Sequence, residues 1–426
     1  MNNWIERAEK SHAQCSLRTH DPQYATTFVE GKGSFLWDAE GNKWLDLISG
    51  YSATNFGHAH KSIATAAQTA LRSITHLTGD LHPWRIQLAE KLLEKLWEVS
   101  NDGRVIFNST GARAIETALK AATSFRPGKI LALSPNFHGR SIATSALSKT
   151  QQTVLSATFQ NDVLLWDEEN FPTCDDCSAE ETCTCCKPKL ESLVEFISQN
   201  ADSLSCILVD PAVTARGYLL PSSQVNREIA LVSRKLGIVL IADEIQSGLG
   251  RCGAWLRCRA QNWVPQIVVL GKSLGAGVAP ISAVVGKSEI LNSIPSGAES
   301  ETFAATPIAC RIALESIRLL EDGIMKNGMK AGTQIRQTLA ALLDNTVAAI
   351  TGEGAVCVLD FGNNLAGTDM ARKFVDACCQ LFIRVQLTGV RNNRVVLLPP
   401  LTIDEIELKE ASLRLEKAIR LVQPTN

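Results

Sequence analysis

An acidic residue and a lysine stand at the ends of two short apolar segments in the middle of the chain. The first segment, residues 239–242, leads to Asp243, and the second, residues 267–270, leads to Gly271 and Lys272. Short apolar segments rich in β-branched residues are typical of buried strands in a parallel sheet. Such sheets bind ligands at the carboxyl ends of their strands. We therefore predict that Asp243 and Lys272 lie at one edge of a sheet.

The combination of a carboxylate and a lysine at a sheet edge indicates a pyridoxal phosphate site. The lysine can form a Schiff base, and the acid can hold the pyridine nitrogen protonated so that the ring acts as an electron sink. A structural ion pair between Asp243 and Lys272 is the alternative interpretation. The two residues alone do not exclude it.

Two further features upstream would serve such a cofactor. A short apolar segment ends in Asn-Ser-Thr-Gly at residues 108–111, and a helical pattern follows directly. The N-terminus of a helix directs N–H groups and a partial positive charge at an anion such as a phosphate. An ordinary helix cap is the commoner explanation for this turn taken alone. After the predicted strand 129–133, Phe137 could stack on a flat ring, with core packing as the alternative.

The composition describes a globular protein with a large core. The chain has 426 residues, 45% of them hydrophobic, and a formal net charge of -2. This charge gives no basic surface for nucleic acid, and no apolar segment has the length of a signal peptide or a membrane span. We therefore expect a cytoplasmic protein with neither nucleic acid nor membrane partners. Most of its 13 cysteines stand singly in apolar contexts, which is typical of buried thiols.

The order of the elements predicts an α/β fold with two domains. Strands and helices alternate from residue 105 to 286, which indicates a mostly parallel sheet covered by helices. Residues 27–52 read as a β-hairpin, and strands with a final helix are expected near the C-terminus. We predict an N-terminal segment of a small domain at 1–60, a large cofactor-binding domain at 61–310, and the C-terminal part of the small domain at 311–426.

Two groups of residues could bind metal. His58 and His60 are close in sequence, but they lack a third ligand nearby, and we expect them to shape a loop. The segment 171–187 interrupts the α/β pattern with five cysteines and several acidic residues. Zinc could be held by these thiolates, although Cys-x-Cys-Cys is not a standard zinc-knuckle spacing. A loop of unligated thiols, or a disulfide formed on oxidation, is the alternative for Cys174, Cys177, Cys183, Cys185 and Cys186.

Several separated motifs together carry a family resemblance. They are spread over almost the whole chain and read ADEIQSGLGRCGAW, VVLGKSLGAG, NFHGR, STGARAIETALK, LWDAEGNKWLDLISGYS and LLPPLT. In combination they closely resemble the class III aminotransferases of fold type I, a group that includes acetylornithine, ornithine and 4-aminobutyrate aminotransferases. The resemblance implies a large domain with a mostly parallel sheet flanked by helices, and a smaller α+β domain made from both ends of the chain.

The resemblance also implies roles for individual residues. Lys272 would be the Schiff-base lysine and proton shuttle, and Asp243 the partner of the pyridinium nitrogen. Gln246 would bind the ring hydroxyl, and Phe137 would stack on the ring. The remaining cofactor contacts implied are with the phosphate: Thr110, Gly111 and Ala112 from the same subunit and Thr302 from the neighbouring subunit of a homodimer with shared sites.

The substrate-binding residues depart from the family pattern. Arg140 is retained and is implied to hold a substrate carboxylate, and Tyr51 matches an aromatic residue of the substrate pocket. The arginine that usually clamps an α-carboxylate is replaced by Val396, and the glutamate that pairs with it in ornithine-type members by Ala215. Arg394 could substitute for that arginine from a shifted position, or lie on the surface. Other departures are Arg113 in place of a glutamate, Ala304 and Ala305 in place of glycines, and Thr306 in place of an asparagine.

We therefore expect an enzyme that transfers an amino group by ping-pong Schiff-base chemistry. The amino donor would be an amine, an ω-amino acid or an unusual amino acid, and the acceptor an oxo acid or aldehyde. A racemase or aminomutase of the same fold is an alternative, because neither needs a carboxylate clamp for two different amino acids. A non-catalytic family member is a third interpretation, against which the retained Lys272, Asp243 and Gln246 argue.

Overall fold

The computed structural model describes residues 4–18, 21, 24–97, 102–133, 136–149, 151, 153–172, 180–343, 348–389 and 391–422. The chain forms two compact units. The smaller unit combines residues 1–60 with residues 326–426, and the larger unit spans residues 61–325. The units thus divide after His60 and Met325, whereas the sequence suggested divisions after residues 60 and 310. The helix that follows residue 306 belongs to the larger unit.

The strands lie between residue 28 and residue 397. In chain order they are β1 Phe28–Lys32, β2 Phe35–Asp38, β3 Lys43–Asp46, β4 Gly103–Asn108, β5 Lys129–Leu133, β6 Val163–Trp166, β7 Leu204–Val209, β8 Val239–Asp243, β9 Ile267–Leu270, β10 Ser282–Lys287, β11 Ala349–Thr351, β12 Cys357–Asp360, β13 Ile383–Arg384, β14 Gln386–Thr388 and β15 Arg394–Leu397.

The α-helices range from single turns to 18 residues. In chain order they are α1 Trp4–Ser11, α2 Ser49–Ser52, α3 Lys61–Leu71, α4 Pro83–Leu96, α5 Gly111–Phe125, α6 Ile142–Ala146, α7 Lys187–Gln199, α8 Ser223–Lys235, α9 Arg257–Ala260, α10 Ser288–Leu291, α11 Pro307–Leu319, α12 Met325–Leu342, α13 Leu365–Gln380 and α14 Glu405–Val422.

A seven-stranded sheet forms the centre of the larger unit. Its strand order is β4-β10-β9-β8-β7-β5-β6. The strands from β9 to β6 are parallel to one another, whereas β10 is antiparallel to both of its neighbours. The prediction of a mostly parallel sheet is therefore confirmed. The two segments first identified in the sequence are β8 and β9, and they lie side by side.

The apolar character of these strands follows from their burial on both faces. Every residue of β7, β8 and β9 is buried. Side chains of this sheet, among them Ile241 and Val269, pack against Ile115 and Leu119 of α5 in one apolar core. Burial of an aliphatic side chain of this size stabilises the fold by about 1.5–3 kcal/mol. The core thereby holds the strand ends in fixed positions.

The smaller unit contains two four-stranded sheets. Their strand orders are β1-β2-β3-β13 and β11-β12-β15-β14. Buried side chains from α12, α13 and α14 pack with both sheets in a second core, which includes the fully buried Phe374. The strands near the C-terminus and the final helix occur where the sequence predicted them. Among the described residues, no helix is long and apolar enough to cross a membrane.

Two polar contacts in the smaller unit bear on expectations from the sequence. His58 binds the buried carboxylate of Asp46 through Nε2 at 2.9 Å, which agrees with a structural role in its loop. Arg394 forms an ion pair with Asp360 on the neighbouring strand, and only 11% of its side chain is exposed. The surface position considered for Arg394 was therefore wrong, because this partly buried cation is paired with a local carboxylate.

Candidate active site

The carboxyl ends of the strands in the larger unit surround a cavity of about 380 Å³. Residues that follow β4, β5, β7, β8 and β9 supply most of its wall, because these strands end at the same edge of the sheet. The described residues that line the cavity are Thr110, Gly111, Ala112, Phe137, His138, Gly139, Arg140, Ser141, Asp210, Thr214, Asp243, Ile245, Gln246 and Lys272. The sequence-predicted cofactor residues other than Thr302 are all among them.

The turn between β4 and α5 has the geometry of an anion site. The hydroxyl of Thr110 caps α5 by accepting the N–H of Arg113 at 3.3 Å, and Ser282 donates to the Thr110 carbonyl at 2.8 Å. A side chain at Gly111 would lie 3.0 Å from the side chain of Ile245, so the close approach favours glycine. Gly111 and Ala112 of the first turn line the cavity, and N–H groups at this position of a helix are available to an anion.

Asp243 is held from two sides. Its Oδ2 lies 2.7 Å from Nδ1 of His138, and its Oδ1 accepts the N–H of Ile245 at 3.1 Å. The side chain of His138 is fully buried, and that of Asp243 is 7% exposed. These contacts fix the orientation of the carboxylate at the cavity wall. A protonated ring nitrogen is the kind of group that a buried carboxylate binds well.

Lys272 carries the reactive amine of the cavity. Burial lowers the pKa of Lys272 to about 8, while the charges of Asp243 and Asp210 act in the opposite direction. The amine donates a hydrogen bond to the side-chain oxygen of Gln246. The backbone of Lys272 has a φ of +40°, a conformation that side-chain-bearing residues seldom adopt and that is found at functional sites. A lowered pKa makes the amine a nucleophile near neutral pH.

An aromatic ring and a cation stand beside each other at the cavity rim. The guanidinium of Arg140 lies 4.8 Å from the ring centre of Phe137, within cation–π distance. Phe137 is half-buried and Arg140 is exposed. In the part of the chain that the structure describes, Arg140 has no carboxylate partner. The guanidinium is therefore available to an anion that enters the cavity.

These features fit the chemical groups of pyridoxal phosphate. A helix N-terminus suits the phosphate, a buried carboxylate suits the ring nitrogen, and an amine of lowered pKa suits the aldehyde. Gly139 supports this fit, because a side chain there would lie 2.5 Å from Cβ of Ala112 and crowd the phosphate turn. The residues present could therefore hold this cofactor without rearrangement of the strand ends.

Reasoning from sequence missed a second buried carboxylate and the histidine. Asp210 follows β7, and both the side chain and the N–H of Thr214 donate to it at 2.7 Å. Burial and the nearby charge of Asp243 raise the pKa of Asp210. The position of Asp210 at a strand end was a signal that could have identified it. No comparable signal distinguished His138, although it lies in the motif that contains Phe137.

A charged cluster fastens the phosphate turn to the segment 299–301. Glu301 accepts the N–H and the hydroxyl of Ser109, each at 3.1 Å, and the side-chain amide of Asn108 at 2.7 Å. Arg113 forms ion pairs with Glu299 at 2.7 Å and with Glu301 at 2.9 Å. Lysine and threonine side chains of α5 also bind Glu299. The positive charge of Arg113, where the resemblance implied a glutamate, is therefore balanced by two carboxylates from a segment that is distant in sequence.

The remaining sequence-predicted site residues lie outside the cavity wall. Thr302 and the following Phe303 are exposed on the larger unit. Tyr51 belongs to the smaller unit, where its hydroxyl accepts a hydrogen bond from Arg18 at 3.0 Å and contacts the hydroxyl of Tyr24. Of the five clustered cysteines, Cys174 and Cys177 lie outside the described residues. The other three lie close together before α7.

Comparison with known families decides the broad class of this chain. The profile of the class III aminotransferases matches residues 17–419. The chain belongs to the class III aminotransferase family. Members of this family depend on pyridoxal phosphate, so the aminotransferase has the cofactor that the cavity fits.

Individual relatives agree with this assignment. An ornithine aminotransferase of Staphylococcus saprophyticus is 27% identical to the aminotransferase over 392 residues, which cover 90% of this chain and 91% of that protein. An acetylornithine aminotransferase of Archaeoglobus fulgidus is 28% identical, with 96% and 98% covered. Among solved structures, an omega-aminotransferase from Paracoccus denitrificans has a TM-score of 0.85 at 21% identity and covers 98% of each chain. That structural likeness confirms the expected fold type I.

The lowered pKa of Lys272 predicts how cofactor capture depends on pH. Only the neutral amine attacks an aldehyde. With a pKa of about 8, the neutral fraction of Lys272 decreases roughly tenfold for each pH unit below that value. We expect the rate of covalent pyridoxal phosphate capture by the apoenzyme to rise up to about pH 8 and then level off. Stopped-flow absorbance of the apoenzyme measures this rate. A rise that continues to pH 10, as for an ordinary lysine, would contradict the prediction.

The cluster around Arg113 predicts an effect on cofactor affinity. Arg113→Gln leaves the carboxylates of Glu299 and Glu301 unbalanced beside the phosphate turn, and we expect this to weaken phosphate binding by about 1–3 kcal/mol in total, the equivalent of one buried polar interaction. We expect the dissociation constant of pyridoxal phosphate, measured by titration of the apoenzyme, to rise roughly 5- to 150-fold. The double variant Arg113→Gln, Glu301→Gln should recover part of this loss. Unchanged affinity in the single variant would rule out this role of the cluster.

Proposed function

We propose that this aminotransferase uses an amino donor whose carboxylate lies away from the reacting amine, such as an ω-amino acid, or an unusual amino acid. Simple amines belong to the same proposal, and the acceptor would be an oxo acid or an aldehyde. The observation that carries the proposal is the exposed guanidinium of Arg140 at the rim of a cavity that contains Lys272 and Asp243. A donor carboxylate could pair with Arg140 while its amine reaches Lys272.

In this proposal different residues of the cavity bind different parts of the cofactor. The N–H groups at Gly111 and Ala112, with the Thr110 hydroxyl, would bind the phosphate, and Phe137 would lie against the ring. Gln246 would bind the ring hydroxyl. Once bound, pyridoxal phosphate supplies an aldehyde for exchange of amino groups and a ring that withdraws electrons from the carbon next to the amine.

Lys272 has two tasks in the proposed mechanism. Its amine would bind the cofactor covalently in the resting enzyme, and after release by the donor amine its Nζ would move the proton of the substrate carbon. A pKa of about 8 suits both tasks, because the amine can accept and return a proton near neutral pH. Gln246 keeps Nζ directed at the cavity through its hydrogen bond.

Asp243 would keep the ring nitrogen protonated, and His138 would position Asp243. The hydrogen bond of 2.7 Å between His138 and Asp243 restrains the carboxylate rotamer in the absence of solvent. Asp210 adds a second buried acid to the same wall, and burial together with the nearby charge of Asp243 raises its pKa.

The departures from the family pattern support a donor that needs only one carboxylate clamp. Val396 is fully buried in β15, and Ala215 is exposed in a short turn after β7. Neither side chain can bind a carboxylate or replace the arginine and glutamate of ornithine-type members. Arg394 is already paired with Asp360. Arg140, which lines the cavity, is the candidate for recognition of the donor carboxylate.

A donor and acceptor screen tests the proposal. Amines, ω-amino acids and α-amino acids would be combined with pyruvate, 2-oxoglutarate and simple aldehydes, and the change in cofactor absorbance followed. We expect Arg140→Gln to raise KM for the best carboxylated donor roughly 10- to 150-fold, because a hydrogen-bonded charge pair contributes about 1.5–3 kcal/mol. The KM for an amine without a carboxylate should change little. Borohydride reduction should attach the cofactor to Lys272, and Lys272→Ala should abolish this product.

Two outcomes of that screen would contradict the proposal. If 2-oxoglutarate is the best acceptor, the inference from Val396 and Ala215 fails. If an amino acid of inverted configuration or rearranged structure forms without any oxo acid, the enzyme is a racemase or aminomutase. Equal effects of Arg140→Gln on carboxylated and uncarboxylated donors would remove the assigned role of Arg140.

We further propose that the enzyme is a cytoplasmic homodimer with shared sites. Thr302 would reach the phosphate in the neighbouring subunit, in keeping with its exposure on the larger unit. The adjacent Phe303 is 67% exposed and packs only partly on His76, with ring centres 4.9 Å apart. Aromatic side chains are enriched in protein interfaces, so this exposed ring suits a subunit contact.

The dimer proposal predicts the effect of a charge at the apolar surface. Phe303→Asp should weaken dimerisation by at least about 2 kcal/mol, or roughly 30-fold, as for a residue at the centre of an interface. Light scattering after size-exclusion chromatography gives the mass. Ile406→Asp, at an exposed apolar residue of α14, is the matched control and should leave the mass unchanged. A dimer that persists in Phe303→Asp at low concentration would refute the assigned interface.

A further inference from the structure

Three cysteine side chains form a compact cluster at the beginning of α7. The sulfur atoms of Cys183, Cys185 and Cys186 all lie within 4.8 Å of one another. Cys185 Sγ is 3.0 Å from Cys183 Sγ and 3.8 Å from Cys186 Sγ. None of these residues lines the cavity of the active site, so aminotransferase chemistry does not account for the cluster.

Local backbone structure holds the three sulfurs together. The N–H groups of Cys186 and Lys187 both donate to the carbonyl of Cys183 at 3.1 Å, which closes a tight turn. Cys186 is the N-cap of α7, whose buried face includes Leu190, and its thiol makes no capping hydrogen bond. These backbone bonds fix the Cα positions of the three cysteines, so their side chains start from closely spaced points.

The other end of the turn is anchored to α8. The N–H of Thr182 donates to the side chain of Gln224 at 2.9 Å, and the hydroxyls of Thr182 and Ser222 lie 3.0 Å apart. The N–H of Gln224 in turn donates to the carbonyl of Glu180 at 3.1 Å. Both flanks of the cysteine turn are therefore fixed to helices of the larger unit.

We propose that Cys183, Cys185 and Cys186 form a binding site for a thiophilic divalent metal ion, with zinc as the expected ion. Zinc binds thiolate sulfur at about 2.3 Å in a tetrahedral arrangement, which places the sulfurs about 3.8 Å apart. The observed separations bracket this value. Small rotations about the side-chain bonds bring the three sulfurs to equal distances from one ion.

The charge and exposure of the cluster suit such an ion. Binding replaces three thiol protons with one divalent cation, so three protons are released and the site carries negative charge. The positive end of the α7 dipole stabilises that charge. Cys186 is buried, whereas Cys185 is exposed, so one side of the cluster is open to solvent. A water molecule or another thiolate can occupy the fourth position from that side.

The role of this ion would be structural. Tetrahedral metal coordination stabilises segments that have no apolar core of their own. The segment 171–187 is polar, acidic and rich in cysteine in sequence, and the metal would tie its described residues 180–187 to the starts of α7 and α8. Loss of the metal should therefore change the stability of this region rather than the chemistry at Lys272.

Metal content and coordination test the site directly. The holoenzyme would be produced with added zinc, purified without chelators under reducing conditions, and its zinc measured by elemental analysis. We expect about one zinc per chain. X-ray absorption at the zinc edge should show at least three sulfur ligands at about 2.3 Å. Cys183→Ser and Cys186→Ser should each reduce bound zinc at least tenfold, while Cys15→Ser, at an exposed cysteine in a short turn near the N-terminus, should retain it.

Thermal unfolding of the same variants tests the metal site without a measurement of enzyme activity. Removal of zinc by a strong chelator should lower the thermal unfolding midpoint of the holoenzyme, and the same chelator should have no effect on Cys186→Ser. The absorption spectrum of bound pyridoxal phosphate should remain, which shows that the variants are folded and separates this proposal from the function of the active site.

Three results would overturn the metal site. The first is a reduced holoenzyme that takes up less than a tenth of an equivalent of zinc. The second is a zinc spectrum with only nitrogen and oxygen ligands, because the ion would then lie elsewhere. The third is a disulfide among Cys183, Cys185 and Cys186 in mass spectra of the protein purified without reductant, with no zinc bound after reduction.

Discussion

The parallel pairing of β8 and β9 is the constraint on which the candidate active site depends. Ile241, Ala242 and Asp243 pair with Ile267, Val268 and Val269, so both strands end at the same edge of the sheet. A shift of one residue would turn Asp243 away from the cavity, because successive side chains alternate between faces. Burial of every residue in both strands makes such a shift costly. Packing of the apolar core thus brings Asp243 and Lys272 to the same edge, and no attraction between the two side chains is needed for this.

The buried titratable groups at this edge form a set that a protein core alone would not favour. Two carboxylates, Asp210 and Asp243, share a wall with Lys272 and a guanidinium at the rim. Burial costs each charged group free energy, and this cost appears as the lowered pKa of Lys272 and the raised pKa of Asp210. Perturbed groups gathered in one cavity are typical of catalytic sites. The class III aminotransferase family, to which the chain belongs, uses such groups with pyridoxal phosphate.

Interactions between segments that are distant in sequence hold the phosphate turn in place. Arg113 stands where the family resemblance implied a glutamate, and Glu299 and Glu301 supply the opposite charge. The same Glu301 binds Ser109 directly before the phosphate turn. The segment that leads to the exposed Thr302 is therefore tied to the phosphate turn within one chain. A cofactor site and a proposed subunit contact thereby share one set of hydrogen bonds.

The sequence by itself determined the local elements and the residues at their ends. β5, β8 and β9 occupy the predicted residues, and the turn before α5 follows β4 as expected, because apolar runs, β-branched residues and glycines act over short distances. Tertiary structure alone decided the pairing of His138 with Asp243, of Glu301 with Ser109, and of Arg394 with Asp360. The members of the first two pairs are more than 100 residues apart, and Arg394 meets Asp360 only because β15 pairs with β12. Such contacts depend on strand order and helix packing, for which a single sequence carries no local signal.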